Sequence, residues 1–398
     1  MKKFFLLLFI LFFVTGCVRT KYSNINIIDS DGKIFLPILK FKEKNFEFGM
    51  NYKLSEIFKN NKIVFKDEYL DVSKLGENTM NVEYILNGNT HNEQITYNVV
   101  DTTKPLIYNS GVYTMYLNDE DDLVNRIICA DNQDANPNCF IEGEYDLTTI
   151  GSYPLKYVAI DNQGNKNEAE FTLVVKKERP ITNGNISNGT TYLENIIEKY
   201  KTNKTRIGID VSKYQGDINW QDVKNAGIEF AMIRLGFGYG EVLKMDDKYL
   251  QNIKGALENN IDVGIYFYSY ATTMEEIELQ SNYVLENIKD YNITFPIVYD
   301  WENFKDWNEY GISLYDLRHQ QEMFLKPFKE KGYQVLQYGS KNYLRNFWEP
   351  IKEDIWLAFY IREGQTLDFE KPIKMWQICN NGKVPGIDYD VDIDIYYK

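Results

Sequence analysis

The hydrophobic pattern changes period twice along the chain. Phe4 to Val14 is an unbroken apolar run of 11 residues behind Lys2 and Lys3. A helix of that length falls short of a bilayer core of about 30 Å, so the run is expected to be the apolar region of a secretory signal peptide. From about Asn24 to Val175, short apolar or alternating runs are separated by turn residues. Val82–Leu86, Ile95–Val100, Leu155–Ile160 and Phe171–Val175 read as strands, and helical periodicity is scarce there. From Arg206 onward, strand-like and helical runs alternate. Strands are expected at Ile207–Val211, Phe230–Leu235, Val263–Tyr270, Pro296–Glu302, Tyr333–Tyr338, Ile355–Tyr360, Lys374–Ile378 and Asp390–Tyr396. Helices are expected at Trp220–Ala226, Asp247–Asn259, Met274–Lys289, Ser313–Lys331 and Lys341–Trp348. This alternation predicts an α/β, TIM-like barrel. The block 206–398 has only 193 residues, so some outer helices are expected to be missing.

The β-rich region carries a weak internal repeat. Asp71–Gly76 followed by Val82 and Tyr84 parallels Asp146–Gly151 followed by Leu155 and Tyr157, an offset of 75 residues. A period of that size suits a small β-sandwich, so two all-β sandwiches are expected, at 24–100 and 101–176. The polar stretch 177–205 is expected to be a linker with a short helix over Thr191–Tyr200. The expected layout is therefore a signal peptide at 1–16, a tether at 17–23, two sandwiches, a linker and the barrel.

Composition narrows the function classes. Hydrophobic residues make up 44% of the 398, enough to fill real cores, so long disordered tracts are not expected. The net charge of −14 argues against nucleic acid as a partner, which needs a basic face. His91 and His319 are the only histidines, and neither stands near a nucleophile motif. A Ser-His or Cys-His mechanism and a His/Cys zinc site are both short of residues. No cofactor is expected and no metal ligands are assigned. Cys129 and Cys139 bracket the polar run 130–138. An oxidising compartment permits a disulfide there, worth roughly 3 kcal/mol on the chain-entropy model, with two unpaired thiols as the alternative. Cys379 lies in an apolar run and is expected in the core.

Carboxylates are the abundant chemistry. Asp210 closes the first strand of the C-terminal block, and Asp300 and Glu302 close the fourth. Residues two apart on a strand point to one side, so Asp300 and Glu302 are expected to face the barrel interior together. Asp392 lies in the last strand. In such barrels the chemistry sits at the C-terminal strand ends. Like charges buried side by side raise a carboxyl pKa, which keeps an acid protonated near neutral pH and able to protonate a glycosidic oxygen.

Three resemblances follow from the residues. Val14-Thr15-Gly16-Cys17 resembles a bacterial lipobox; this implies lipidation at Cys17 and an extracytoplasmic protein anchored to a membrane and facing the cell wall. Asp101-Thr102-Thr103-Lys104-Pro105 and Ala159-Ile160-Asp161-Asn162-Gln163-Gly164-Asn165 are similar to motifs of bacterial immunoglobulin-like repeats, read here chiefly as spacers. The block 206–398 resembles glycoside hydrolase family 25, the Chalaropsis-type lysozymes. Its Gly208-Ile209-Asp210-Val211-Ser212-Lys213-Tyr214-Gln215-Gly216 opening, Phe230–Arg234 strand, Asp300-Trp301-Glu302 triplet, Trp376-Gln377 pair and Gly386–Asp392 closing run stand in that family's order. The resemblance implies hydrolysis of the β-1,4 bond between N-acetylmuramic acid and N-acetylglucosamine in peptidoglycan. It implies Glu302 as general acid, Asp300 holding the substrate acetamido group or the developing cation, and Asp210 and Asp392 completing an acidic floor. Water activation by Asp210 is a rival assignment. Many members carry His in the third strand, where this chain has Phe267. Tyr266, Tyr268, Tyr338, Tyr360, Trp376 and Gln377 are candidates for binding sugar.

Other signals are set aside. Gly236–Gly240 lacks the spacing of a phosphate loop, and Asp388, Asp390 and Asp392 do not continue into an EF-hand. A monomer is expected. The rival readings are a catalytically inactive wall-binding lipoprotein and another N-acetylhexosamine glycosidase.

Overall fold

The computed structural model describes residues 27–28, 34–35 and 39–398, except 60–61, 67–68, 180–188 and 361–364. The expected signal peptide, Cys17 and the expected tether lie outside the described residues. Two units form, one from residues up to 98 without 47–50 and 72–75, the other from those two segments and 99–398.

The first unit begins with paired dipeptides β1 (Ile27–Ile28) and β2 (Ile34–Phe35). Its main sheet has four strands in the order β3 (Asn45–Glu47), β6 (Asn89–Val100), β5 (Gly76–Leu86), β4 (Val64–Phe65), with a short helix α1 (Leu54–Ile57). Asn87 and Gly88 join β5 to β6, both at positive φ (53° and 81°). That turn twists with the strands and fixes their register.

In the second unit, β7 (Leu106–Tyr108) pairs with β9 (Ile128–Ala130). A four-stranded sheet runs β10 (Asn138–Glu142), β11 (Gly151–Ile160), β12 (Lys166–Lys176), β8 (Val112–Tyr116), with β8 parallel to β12. Cys129 and Cys139 are disulfide-bonded. Neither N-terminal domain is the expected immunoglobulin-like sandwich. Each rests on one four-stranded sheet, because several connecting runs give strands of only two or three residues, too short for a second full sheet.

The linker is not free chain throughout. β13 (Thr191–Tyr192) pairs with a barrel strand, and α2 (Leu193–Tyr200) buries Leu193 and Ile196 in the main core.

The C-terminal block is a closed eight-stranded barrel. Its strands are β14 (Thr205–Val211), β15 (Phe230–Tyr239), β17 (Asp262–Ser269), β18 (Ile297–Asp300), β19 (Val335–Ser340), β20 (Asp354–Ala358), β21 (Met375–Lys383) and β22 (Val391–Tyr397), and β16 (Val242–Met245) forms a hairpin with β15. The first seven run parallel. β22 is antiparallel to both β21 and β14 and closes the ring. Helices α3 (Trp220–Asn225), α4 (Tyr249–Glu258), α5 (Met274–Ile288), α6 (Trp307–Tyr310), α7 (Leu314–Glu330) and α8 (Lys341–Asn346) lie between the earlier strands. The expected TIM-like repeat therefore fails after β20: the last connections hold no helix among the described residues. With no crossover helix, β22 returns as a hairpin partner, which requires antiparallel pairing.

Alternation along the strands builds two cores. Ile207, Ile209, Ile233, Ile265, Phe267, Tyr299 and Trp376 belong to the large core that includes the helices. Phe230, Met232, Phe295, Val298, Leu336, Trp356 and Met375 fill the barrel. Gly208 makes room for this filling, since a Cβ there would stand 2.4 Å from the Phe230 ring.

The second β-domain is packed on the barrel. The Asn308 side chain donates to the Ile127 carbonyl and accepts from the Cys129 amide, both at 3.0 Å. The amides of Leu314 and Tyr315, which open α7, donate to the carbonyls of Asp131 and Asn132. Ile128 and Ala130 join the main core, and Tyr108 packs on Tyr343 and Phe347.

Gly208→Ala is expected to destabilise the protein by about 1–3 kcal/mol through overpacking against Phe230. Denaturant unfolding reads this; an unchanged midpoint would show that the ring shifts freely.

Candidate active site

Interior positions at the C-terminal ends of the parallel strands are polar. Asp210 on β14 is buried, and its Oδ2 accepts from Gln377 Nε2 on β21 at 2.8 Å. Gln377 Oε1 accepts in turn from the hydroxyls of Tyr338 (3.2 Å) and Tyr360 (3.0 Å). One amide thus orients an acid and two tyrosines. Asp300 closes β18 and is buried, with one carboxyl oxygen lacking any hydrogen-bond partner. Asp300 and Glu302 share a hydrogen bond. Glu302 reaches solvent, so the pair has a hidden member and an open one. Tyr266 and Tyr268 line the same interior, Tyr268 bonded to Asn303 Oδ1 at 3.3 Å and packed on Tyr270 at 5.0 Å.

The electrostatics follow from crowding acids in low dielectric. Burial, then the neighbouring Glu302 charge, drives Asp300 well above the ordinary carboxylate range, against the opposing pull of Arg234. Glu302 is raised by its protein surroundings and held down by its bond to Asp300. The two titrate as a pair that keeps a proton to higher pH than an isolated carboxyl. Burial, then Asp394, raises Asp210 in the same way. Asp392 is pushed up to about 9 by burial, then by Asp210 and Glu302. The hydroxyls of Tyr266, Tyr268, Tyr338 and Tyr360 are all raised, first by burial and then by these carboxylates. They remain hydrogen-bond donors throughout the ordinary pH range.

The four expected acids therefore come together, with Gln377 and four tyrosines. Trp376 does not join them. Its indole N–H donates to the Phe359 carbonyl at 2.8 Å, and its ring packs on Tyr200 of α2. On a strand the neighbour of inward Gln377 must face outward. The same parity removes Phe267 from the site: it is fully buried against Tyr283 and Phe324, away from the cleft lining.

Three interior residues escaped the sequence reading. Asp394, fully buried, accepts from Trp356 Nε1 at 2.8 Å and is hydrogen-bonded to Asp210. Its signal was the alternation Asp392-Ile393-Asp394. Arg234 is bound to Asp246 Oδ2 at 2.6 and 2.8 Å. Asp246 also receives the amides of Lys213 and Lys248, so it anchors the loop after β14. The chemistry this set supports is proton transfer by a coupled carboxyl pair in a cleft lined by hydroxyl donors.

Residues 209–387 match the model of glycosyl hydrolases family 25. Over 196 residues the chain is 30% identical to Lysozyme M1 of Streptomyces globisporus, covering 46% of this chain and 65% of that protein. Over 197 residues it is 28% identical to the uncharacterized protein YegX of Escherichia coli strain K12, covering 48% and 68%. The chain thus spans about two thirds of the length of these curated relatives. The solved structure of a bacterial lysozyme from Streptomyces coelicolor is similar over 49% of this chain and 93% of that one, at 24% identity and a TM-score of 0.41.

An unfolded Asp titrates near about 3.9. Between that value and about 9 the folded protein holds the Asp392 proton and the unfolded chain does not. Stability from this group is complete at low pH and is lost as pH rises through that window. The melting temperature is expected to fall between about pH 5 and about pH 9, and Asp392→Asn to flatten the fall. A melting temperature that rises with pH in the parent would contradict this.

Proposed function

We propose that residues 206–398 form a family 25 glycosyl hydrolase that acts as a lysozyme, cutting the β-1,4 bond between N-acetylmuramic acid and N-acetylglucosamine in peptidoglycan. The carrying observation is the pairing of a buried Asp300, one oxygen without a partner, with a Glu302 that reaches solvent. The family match over residues 209–387 supports the same reading.

In this reading Glu302 delivers its proton to the glycosidic oxygen as the bond to the anomeric carbon breaks. The substrate acetamido oxygen closes on the anomeric carbon, and Asp300 accepts a hydrogen bond from the acetamido N–H. Water then opens the ring so formed, giving its proton back to Glu302. Asp300 and Glu302 come from one strand end, so they cannot flank a sugar ring from opposite faces; this favours substrate assistance over the usual two-carboxylate scheme. Asp210 and Asp392, which keep their protons, complete the floor of the cleft and hold sugar oxygens or water. Tyr266, Tyr268, Tyr338 and Tyr360 donate to sugar oxygens or stack on sugar faces, with Gln377 holding two of them.

We further read the chain as a lipoprotein anchored through Cys17, working outside the membrane on glycan strands as a monomer.

Digestion of purified peptidoglycan, with mass spectrometry of the reduced products, tests the activity. Reducing-end N-acetylmuramic acid is expected. Reducing-end N-acetylglucosamine would move the cut to the other bond, and no release by folded protein would end the proposal. Glu302→Gln is expected to lower turnover at least ~10²-fold with an unchanged fold, the share a general acid supplies. Near-normal turnover would refute the assignment of Glu302.

A further inference from the structure

We propose that the second β-domain holds a calcium ion on Asp101, Asp131 and Asp161, a site separate from the barrel cleft. One carboxylate oxygen from each lies within 4.8 Å of those from the other two. All three residues are buried, Asp131 to 1% exposure and Asp101 to 7%. Asp101 Oδ2 and Asp131 Oδ2 are buried and have no hydrogen-bond partner. Burying a carboxylate oxygen unpaired is costly, and three buried together repel one another. A cation among them removes both costs.

The surrounding bonds aim the carboxylates. Asp131 Oδ1 accepts from the amides of Gln133 and Asp134, and Asp161 Oδ1 from those of Gln163 and Asn165. Asp101 Oδ1 accepts from the Thr103 amide. For Asp131 and Asp101 the oxygen left over is the unpartnered one. Asn132, whose side chain hydrogen-bonds Asp101, adds another buried oxygen without a partner.

The donor set names the ion class. Oxygen-only, carboxylate-rich sites suit hard divalent cations. Two oxygens on opposite sides of Ca²⁺ stand about 4.6–5.2 Å apart, from ligand distances of about 2.3–2.6 Å; for Mg²⁺ the limit is about 4.2 Å. All three oxygens lie within the span of one Ca²⁺, and three buried carboxylates suit Ca²⁺ better than Mg²⁺, which keeps several waters and takes only one or two carboxylates.

The site also bears on the barrel. Asp131 and Asn132 lie in the loop closed by the Cys129–Cys139 disulfide, and their carbonyls receive the first amides of α7. An ion on this loop would fix the surface that docks on the barrel.

Calorimetric titration of CaCl₂ into the purified full chain, stripped with EDTA, tests this. One Ca²⁺ per chain is expected, with a dissociation constant between about 10⁻⁵ and about 10⁻³ M, as in extracellular modules and sensors. Mg²⁺ is expected to bind at least about tenfold more weakly, and the melting temperature to rise with Ca²⁺. Asp131→Asn and, separately, Asp101→Asn are expected to weaken binding at least about tenfold. The proposal falls if the folded parent binds no Ca²⁺ up to about 10 mM, ten times the weak end of that range. It also falls if both variants, folded by circular dichroism, bind as the parent does.

Discussion

Closure of the barrel by β22 is the constraint on which the rest of the site depends. This strand hydrogen-bonds to β14 on one side and β21 on the other, both antiparallel. Its register sets Asp392 opposite Asp210 and Asp394 opposite Gln377. Without that closure, Asp210 would lie at an open sheet edge, exposed to water and titrating as an ordinary carboxyl. With it, acids from β14, β18 and β22 are driven into one low-dielectric space, and their proton affinities become properties of the group.

Below the acids the barrel is filled by Phe230, Met232, Phe295, Val298, Leu336, Trp356 and Met375. This plug excludes water from beneath and gives the acids a rigid floor. Trp356 links the two layers, its ring in the plug and its N–H on Asp394. Arg234 offsets part of the negative charge on Asp300, and Asp246 pins it there. The arrangement concentrates acids enough to hold protons near neutral pH while a single arginine limits the repulsion.

The second β-domain is more than a spacer in this structure. Asn308 and the start of α7 hold it against the loops that follow Glu302. Its Ile128 and Ala130 share the barrel's outer core. The loop that makes these contacts is closed by a disulfide, so its shape is set within its own domain before it meets the barrel.

Much of the fold was legible in the sequence because it rests on local period. The eight barrel strands and five helices showed in the alternation from Arg206, and Asp300 and Glu302 announced themselves by standing two apart at a strand end. Long-range pairing was not legible. Whether Trp376 or Gln377 faced inward depended on the register of β21, and a slip of one residue would have exchanged them. Asp394 looked like one more acid in a terminal strand until β22 was seen to close the ring. Asp101, Asp131 and Asp161 lie 30 residues apart in sequence, and only the packing of the β-sheets brings their oxygens together. The sequence by itself determined the element types, the acidic chemistry and its place at strand ends, since these follow from side-chain period and residue type. Tertiary structure alone decided which acids share protons, which aromatics face the cleft and where the second acidic cluster forms, since these depend on register, closure and burial between distant segments.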